Sequence, residues 1–323
     1  MRKRCFITDP DGIGKDFIDE WYDGRKDYII ARTSGSTGEP KAIRLLKSDM
    51  EISALATCRY FGINGSSILA CPLSPEYIAG KMMIVRAIVS GARLVVESPS
   101  NSPLRRWRYG RPDLTAIVPS QIDGLLENTG GNLGSVIVGG APVTGSQERT
   151  MVGSGIGFYA TYGMTETCSH VALRKAGGAA FEALPGFRFT ADQRGCLVIE
   201  SETMSFGRLV TNDIVMLLDE RHFQWKGRFD NVIISGGIKL FPEEIEREIA
   251  PFVTGHNFFI TSRPSERWGE ELVMVVEAED LDTDALDRTL SLNIDHKHKP
   301  KAYILKKYLP RTETGKLLRR HTK

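Results

Sequence analysis

Short apolar runs separated by polar turns recur through the first two thirds of the chain. Residues 28–46 predict a strand, a Gly/Ser/Thr loop and a second strand. Ile78–Val89 predicts a buried helix, with Met82, Ile84, Val85 and Ile88 on its apolar side. Arg93–Glu97 follows as a strand, Leu114–Val118 as another and Gln121–Glu127 as a helix. Ser135–Val138 and Ile156–Ala160 are further strands, the first ending at Gly139-Gly140 and the second in a polar loop. Strands alternating with helices predict a largely parallel, doubly wound α/β sheet. Ligands bind beyond the carboxyl ends of such strands. The loops at 119–121, 139–142 and 161–167 should therefore gather at one edge.

From Pro185 to Gly227 the pattern becomes antiparallel, with strands at 197–199, 208–210, 215–218 and 222–225 and turns between them. After Asp230 it becomes compact α+β. A strand at Val232–Ser235 precedes a Gly236-Gly237 turn and a helix at Glu243–Ile249 started by Pro242. Strands at Phe258–Thr261 and Leu272–Glu277, a helix near Thr283–Leu292 and a strand at Tyr303–Lys307 complete it. The change of pattern divides the chain into residues 1–229 and 230–323.

Composition narrows the class without altering this picture. The 323 residues are 41% hydrophobic and 25% charged, which suits a soluble globular protein. A net charge of +2 gives no global attraction to nucleic acid. No apolar run is long enough to cross a bilayer. The basic start at Met1-Arg2-Lys3-Arg4 is followed by too short an apolar stretch for a signal peptide. The five cysteines form no CxxC and predict reduced thiols, hence a cytoplasmic setting.

Five blocks carry candidate chemistry. In Thr33-Ser34-Gly35-Ser36-Thr37-Gly38-Glu39-Pro40-Lys41, glycines turn backbone N–H groups toward an anion. Its hydroxyls can donate to phosphate oxygens and Lys41 adds a charge. Pro40 before Lys41 breaks the P-loop spacing. In Tyr162-Gly163-Met164-Thr165-Glu166-Thr167, the ring of Tyr162 offers a face for a base and Glu166 a carboxylate for Mg²⁺ beside phosphates. Thr211-Asn212-Asp213 and Gly227-Arg228-Phe229-Asp230 supply an acid for ribose hydroxyls and an arginine for phosphate or ribose. Ser235 to Glu246 forms a glycine turn leading into a capped helix. Pro310 to Arg320 places Lys316 on a glycine-containing turn, and residues 296–323 hold ten Lys or Arg against one acid.

In this order the five blocks resemble the adenylate-forming superfamily, which includes acyl- and aryl-CoA synthetases, peptide-synthetase adenylation domains and luciferases. The similarity runs from Thr33 to Arg320. It implies a large N-terminal α/β domain, here truncated at its start, and a small mobile α+β C-terminal domain. It also implies ATP, Mg²⁺ and coenzyme A, and a two-step reaction through an acyl-adenylate.

The resemblance assigns roles residue by residue. Thr33, Ser34, Gly35, Ser36, Thr37, Gly38 and Lys41 hold the β- and γ-phosphates. Gly139, Gly140, Ala141 and Pro142 line the adenine and Tyr162 stacks on it. Thr165 contacts the α-phosphate and Glu166 holds the metal. Asp213 binds the ribose with help from Arg228, and Asp230 is the hinge. Lys316 bridges carboxylate and α-phosphate, and the Gly236-Gly237 turn lines the pantetheine tunnel in the second step. Asn212 stands where the family usually has glycine, and only 32 residues precede Thr33.

The shortened chain and the run YGMTETCS, Tyr162 to Ser169, further resemble the o-succinylbenzoate–CoA ligases of menaquinone biosynthesis. That branch implies a pocket walled by Ile78, Ile117, Val118 and Pro119, with Lys81, Ser120, Gln121, Ser169 and His170 as candidate anchors for the second carboxylate. Rival readings are another aryl- or acyl-CoA ligase, a carrier-loading adenylating enzyme, and a nucleotide-binding regulator without chemistry. The expected partners are a small carboxylic acid, ATP and coenzyme A. Neither nucleic acid nor a membrane span is expected, and pairing with a second copy stays open.

Overall fold

The structure is a computed structural model. It describes residues 6–32, 42–311 and 319.

Along the chain, β1 (Phe6–Thr8) and α1 (Lys15–Tyr22) precede the hairpin of β2 (Tyr28–Arg32) and β3 (Ala42–Leu46). Then come α2 (Lys47–Phe61), β4 (Ile68–Cys71), α3 (Ile78–Ser90) and β5 (Arg93–Val96). Next are β6 (Leu114–Ile117), α4 (Ile122–Thr129), β7 (Ser135–Val138), α5 (Gly145–Gly153) and β8 (Gly157–Gly163). Strands β9 (His170–Lys175), β10 (Phe181–Ala183), β11 (Arg188–Ala191), β12 (Cys196–Glu200), β13 (Arg208–Leu217) and β14 (His222–Arg228) follow without a helix between them. The last part holds β15 (Ile233–Ser235), β16 (Ile238–Leu240), α6 (Pro242–Ile249), β17 (Phe258–Ser265), β18 (Gly269–Glu277), α7 (Thr283–Asn293) and β19 (Ala302–Lys306).

Among the described residues, twelve strands form one sheet in the order β1-β5-β4-β6-β7-β8-β9-β10-β14-β13-β12-β11. Its first six strands pair in parallel, as the alternating pattern predicts. The direction reverses at β8–β9, and β10 pairs antiparallel to both β9 and β14. The crossover helices pack on the parallel part because its strands are apolar on both faces. Val136, Val138, Ile117 and Phe158 from the strands meet Ile122, Leu125 and Met151 from α4 and α5. Each such side chain contributes about 1.5–3 kcal/mol when fully buried. Helix α3 is enclosed on every side, with Met82, Met83, Ile84 and Val85 all fully buried. It therefore has no polar stripe.

The chain divides into two compact units. The first holds Met1–Phe189, Ile199–Leu209 and Leu218–Phe223, and the second Thr190–Val198, Val210–Leu217 and Gln224–Lys323. The second has its own core, in which Ile233, Leu240, Ile245, Ile249, Ile260, Leu272, Met274, Val276, Leu286 and Leu290 are buried. There β18 is flanked by antiparallel β17 and parallel β19.

Two details depart from the pattern reading. Residues 208–217 form one strand rather than two. Thr211 and Asp213, which resemble turn residues, sit on its inward face with Thr211 Oγ1 donating to Leu197 O at 2.8 Å. Tyr162 likewise belongs to β8 rather than to the loop after it.

Candidate active site

In the first unit, β6, β7 and β8 are adjacent, parallel and in register, with Ile117 beside Val138 and Val138 beside Ala160. The three loops singled out from the sequence therefore leave the same sheet edge. Strand β9 runs antiparallel and starts there, with His170 opposite Gly163. Ser169 and His170 are thus brought to the edge that also carries Glu166.

Close backbone approach shapes this edge. A β-carbon on Gly139 would lie 2.5 Å from Thr161 Oγ1, so the segment after β7 passes flush against β8. The ladder shifts register between Tyr162 and Gly163, and a β-carbon at Gly163 would fall 2.3 Å from Ser169 O. Tyr162 is held by aromatic neighbours, its ring edge-on to Phe223 at 5.0 Å and tilted to Phe181 at 5.8 Å. A single turn, Thr165–Thr167, follows β8. Thr167 Oγ1 accepts from Met164 N at 3.1 Å and lies 2.7 Å from Ser169 O. Buried Cys168 then takes φ +61, a conformation that costs a non-glycine residue energy. The turn is therefore fixed from inside, with Glu166 exposed.

Among the described residues, no cluster of three or more His, Cys, Asp or Glu could hold a metal by itself. One exposed carboxylate at this sheet edge does fit Mg²⁺, which takes one or two carboxylates together with phosphate oxygens.

The candidate anchors separate by what they already bond. Gln121 is committed to the fold: its Nε2 donates to Pro72 O at 3.1 Å and Ser100 O at 2.8 Å, and its Oε1 accepts from Val118 N. Both of its donors are taken, so it braces the loop rather than offering a grip. Lys81 is buried, its Nζ 4.7 Å from the ring centre of Phe17 in α1. Burial lowers its pKa against the pull of Glu20 and Glu76. Ser120 is exposed. His170 is buried, its Nε2 3.1 Å from Thr57 Oγ1, and burial with nearby Arg86 holds it well below its ordinary value. It is a neutral imidazole at physiological pH.

Sequence reasoning missed Arg86. It lies on α3 at 2% exposure. Its Nη2 donates to Ser169 Oγ at 2.8 Å and its Nη1 lies 3.6 Å from Met83 Sδ, while its Nε has no hydrogen-bond partner among the described residues. No carboxylate pairs with it there. Burial pulls it down to about 10, so it stays charged at neutral pH. A buried charge with no counter-ion is costly to maintain. Two cations inside an otherwise apolar helix, Lys81 and Arg86, were the available signal.

In the second unit, Asp213 is buried on β13 and its Oδ1 accepts from Trp225 Nε1 at 3.1 Å. Arg228 ends β14 and pairs with Asp230 at 2.8 Å. Arg194 contacts Asp192, Asn212 and the ring of Phe229. Gly236 and Gly237 form a left-handed turn between β15 and β16. In the described part of the basic stretch, His298, Lys299, Lys307 and Arg311 face Glu248, Asp287, Glu279 and Glu277. Residues Thr33 to Lys41 and Lys316 lie outside the described residues.

Comparison with solved structures gives the class. An acyl-CoA synthetase (AMP-forming)/AMP-acid ligase II-like protein of Dyadobacter fermentans is 33% identical at TM-score 0.63, covering 94% of this chain and 90% of that one. The o-succinylbenzoate CoA synthetase of Bacillus subtilis, solved with its acyl-adenylate intermediate, is 21% identical at TM-score 0.78, covering 91% and 68%. The fold is that of the adenylate-forming enzymes. Residues 19–224 match the AMP-binding enzyme family, and the chain belongs to it. Among curated relatives, the 2-succinylbenzoate–CoA ligase of Listeria monocytogenes is 26% identical over 333 residues, covering 94% of this chain and 71% of the relative. No described helix is long and apolar enough to cross a membrane.

Proposed function

We propose that the protein is an AMP-forming acid–CoA ligase whose acid is o-succinylbenzoate. The observation that carries the choice of acid is the buried guanidinium of Arg86 beside Ser169, with which no carboxylate pairs among the described residues. An aromatic acid with a second carboxylate would supply the missing anion. The activated succinyl carboxylate would be left for chemistry.

In the first half-reaction, a carboxylate oxygen attacks the α-phosphorus of ATP, and the bond to the departing pyrophosphate breaks. Two anions must meet, so positive charge and oriented donors lower the barrier most where water is excluded. Residues Thr33 to Lys41 hold the outer phosphates, Thr165 the α-phosphate, and Lys316 bridges the reacting carboxylate and phosphate. Glu166 would hold Mg²⁺, which supplies charge neutralisation when bound. Gly139, Gly140, Ala141 and Pro142 line the adenine beside Tyr162, and Asp213 takes the ribose with Arg228. In the second half-reaction the thiol sulfur of coenzyme A attacks the acyl carbonyl, AMP leaves, and the Gly236-Gly237 turn lines the approach. Residues 230–323 would act as the moving part, with Asp230 as hinge. The buried thiols of Cys71 and Cys168, both pushed up to about 12 mainly by burial, suit a reducing cytoplasm.

Acid-dependent AMP and pyrophosphate release, measured with o-succinylbenzoate, benzoate, acetate, a medium-chain fatty acid and amino acids, tests the assignment. Thioester formation with o-succinylbenzoate alone is the expected result. Turnover with a monocarboxylate instead would replace the substrate and keep the mechanism. Silence across the panel with ATP still bound would favour the regulator reading.

A further inference from the structure

Arg86 is held from one side by a chain of polar groups that crosses from β9 to α2. A guanidinium only donates, so Ser169 Oγ accepts from Arg86 Nη2 at 2.8 Å. The Ser169 hydroxyl proton then needs an acceptor of its own, and His170 Nδ1 lies 3.4 Å away. That makes Nδ1 the acceptor and puts the ring proton on Nε2. Nε2 lies 3.1 Å from Thr57 Oγ1, which accepts from it. The Thr57 hydroxyl donates in turn to Ser53 O at 3.3 Å, one turn back along α2. Each donor thus meets one acceptor in a single direction, from the guanidinium to the main chain of α2.

Where this chain ends matters more than the stability it adds. Arg86, His170 and Thr57 are all buried, so the protein rather than solvent decides how their groups point. Main-chain bonds already fix the backbone of Ser169, whose N donates to Thr167 O at 2.7 Å and whose O accepts from Thr167 Oγ1 at 2.7 Å. The remaining freedom is the rotation of its hydroxyl, and His170 settles that. A protonated imidazole would donate from both nitrogens and turn the hydroxyl away. Burial, and then the charge of Arg86, keep His170 neutral. At the other end Nη2 is committed to Ser169, whereas Nε of Arg86 is buried without a partner among the described residues. With one corner of a planar guanidinium fixed, its open edge keeps one direction.

We propose that His170 and Thr57 are positioning residues for the choice of acid, because through Ser169 they aim the open edge of Arg86 at the second carboxylate of the substrate. The inference rests on reading Arg86 as the counter-ion of that carboxylate.

The test compares Arg86→Met, His170→Gln, His170→Asn, Thr57→Val and the double variant Arg86→Met/His170→Gln in the full chain. Acid-dependent ATP–pyrophosphate exchange is measured with o-succinylbenzoate and with benzoylpropionate, the same acid without its ring carboxylate. The readout is the ratio of kcat/KM for the two acids, which should favour the diacid in the wild type. His170→Gln reaches Thr57 but places no acceptor at the Nδ1 position. It should lower the ratio by about three- to tenfold through the KM for o-succinylbenzoate, the size of one hydrogen bond. His170→Asn puts an acceptor near Nδ1 and should recover part of the loss. Thr57→Val keeps the shape, removes the acceptor for Nε2, and should lower the ratio as well. The KM for ATP and the kcat with either acid should change by less than about twofold. The double variant should be no less selective than Arg86→Met alone, since the imidazole acts through the guanidinium. Equal losses on both acids would mean structural damage and overturn the proposal. So would unchanged ratios in His170→Gln and Thr57→Val beside a collapsed ratio in Arg86→Met. If Arg86→Met itself keeps the ratio, or the wild type does not turn over o-succinylbenzoate, the reading of Arg86 falls and the inference with it. Should His170→Gln melt below the assay temperature, Thr57→Val decides in its place, and a loss confined to the diacid is again required.

Discussion

Arg86 Nη2 donates to Ser169 Oγ at 2.8 Å, which joins the buried helix α3 to the start of β9 and places a cation at the edge where the candidate loops emerge. No described carboxylate answers that cation. If its counter-ion is the second carboxylate of the substrate, Arg86→Met should raise the KM for o-succinylbenzoate by about 100-fold, the size of a buried charge-assisted contact. Stability in urea should hold or rise, because an unpaired buried charge has been removed. Steady-state kinetics beside denaturation midpoints separates this from structural damage, which would weaken turnover and lower the midpoint together.

Gly139 gives a packing prediction. A methyl group there meets Thr161 Oγ1 at 2.5 Å, and Thr161 is held by its own hydrogen bond to Val138 O at 3.2 Å. Gly139→Ala should cost about 1–3 kcal/mol of stability by overpacking and displace the loop after β7 that is proposed to line the adenine. The KM for ATP should rise with it. Adding Thr161→Ala opens the space and should restore part of both. Urea midpoints and ATP titrations of the single and double variants decide it, and additive losses would refute the steric account.

The acid limit of stability should depend on His170. Its folded pKa is depressed, so the unfolded chain takes up a proton that the folded chain refuses. Stability is then fully present above the unfolded value and is lost as pH falls through it. Below about pH 6.5 the wild type should lose about 1.4 kcal/mol per pH unit from this one group. His170→Gln keeps a hydrogen-bonding atom for Thr57 and cannot titrate. Its unfolding free energy should fall less between pH 6.5 and 5.5 than that of the wild type. Parallel slopes would mean that another group governs acid unfolding.

The parallel core was legible because its strands are continuous apolar runs and its helices supply the alternation. Other parts carried no such signal. Helix α2 buries Ser53, Ala54, Ala56, Thr57 and Cys58, small residues that draw no stripe. In β13, Thr211-Asn212-Asp213 has the chemistry of a turn, and only contacts from Leu197 and Trp225 reveal a strand. On α3 the sequence offered two cations, Lys81 and Arg86, and spacing could not rank them. Lys81 meets Phe17 from an element read only in the structure, and this leaves Arg86 as the cation beside Ser169. Gln121 sat in the expected loop but is occupied with Pro72 and Ser100, contacts made far along the chain.

Trp225 yields the last prediction, because it separates two roles for Asp213. Its indole Nε1–H donates to Asp213 Oδ1 at 3.1 Å, and Asp213 N donates to Thr211 Oγ1 at 3.1 Å. The carboxylate is thus oriented from one side by a neutral donor. If Asp213 binds ribose hydroxyls, Asp213→Asn keeps the shape but loses an ionised acceptor, and the KM for ATP should rise by about 10- to 100-fold. Trp225→Phe keeps the packing and removes only the orienting donor. Its effect on ATP should be smaller, about three- to tenfold, in keeping with one neutral hydrogen bond. The double variant should be less impaired than the product of the two, since the indole acts through the carboxylate. Thioester formation from preformed acyl-adenylate should weaken in KM for the adenylate with kcat retained, because the ribose is present in both half-reactions. A purely structural Asp213 would instead lower the unfolding midpoint in step with every kinetic loss and show no split between KM and kcat.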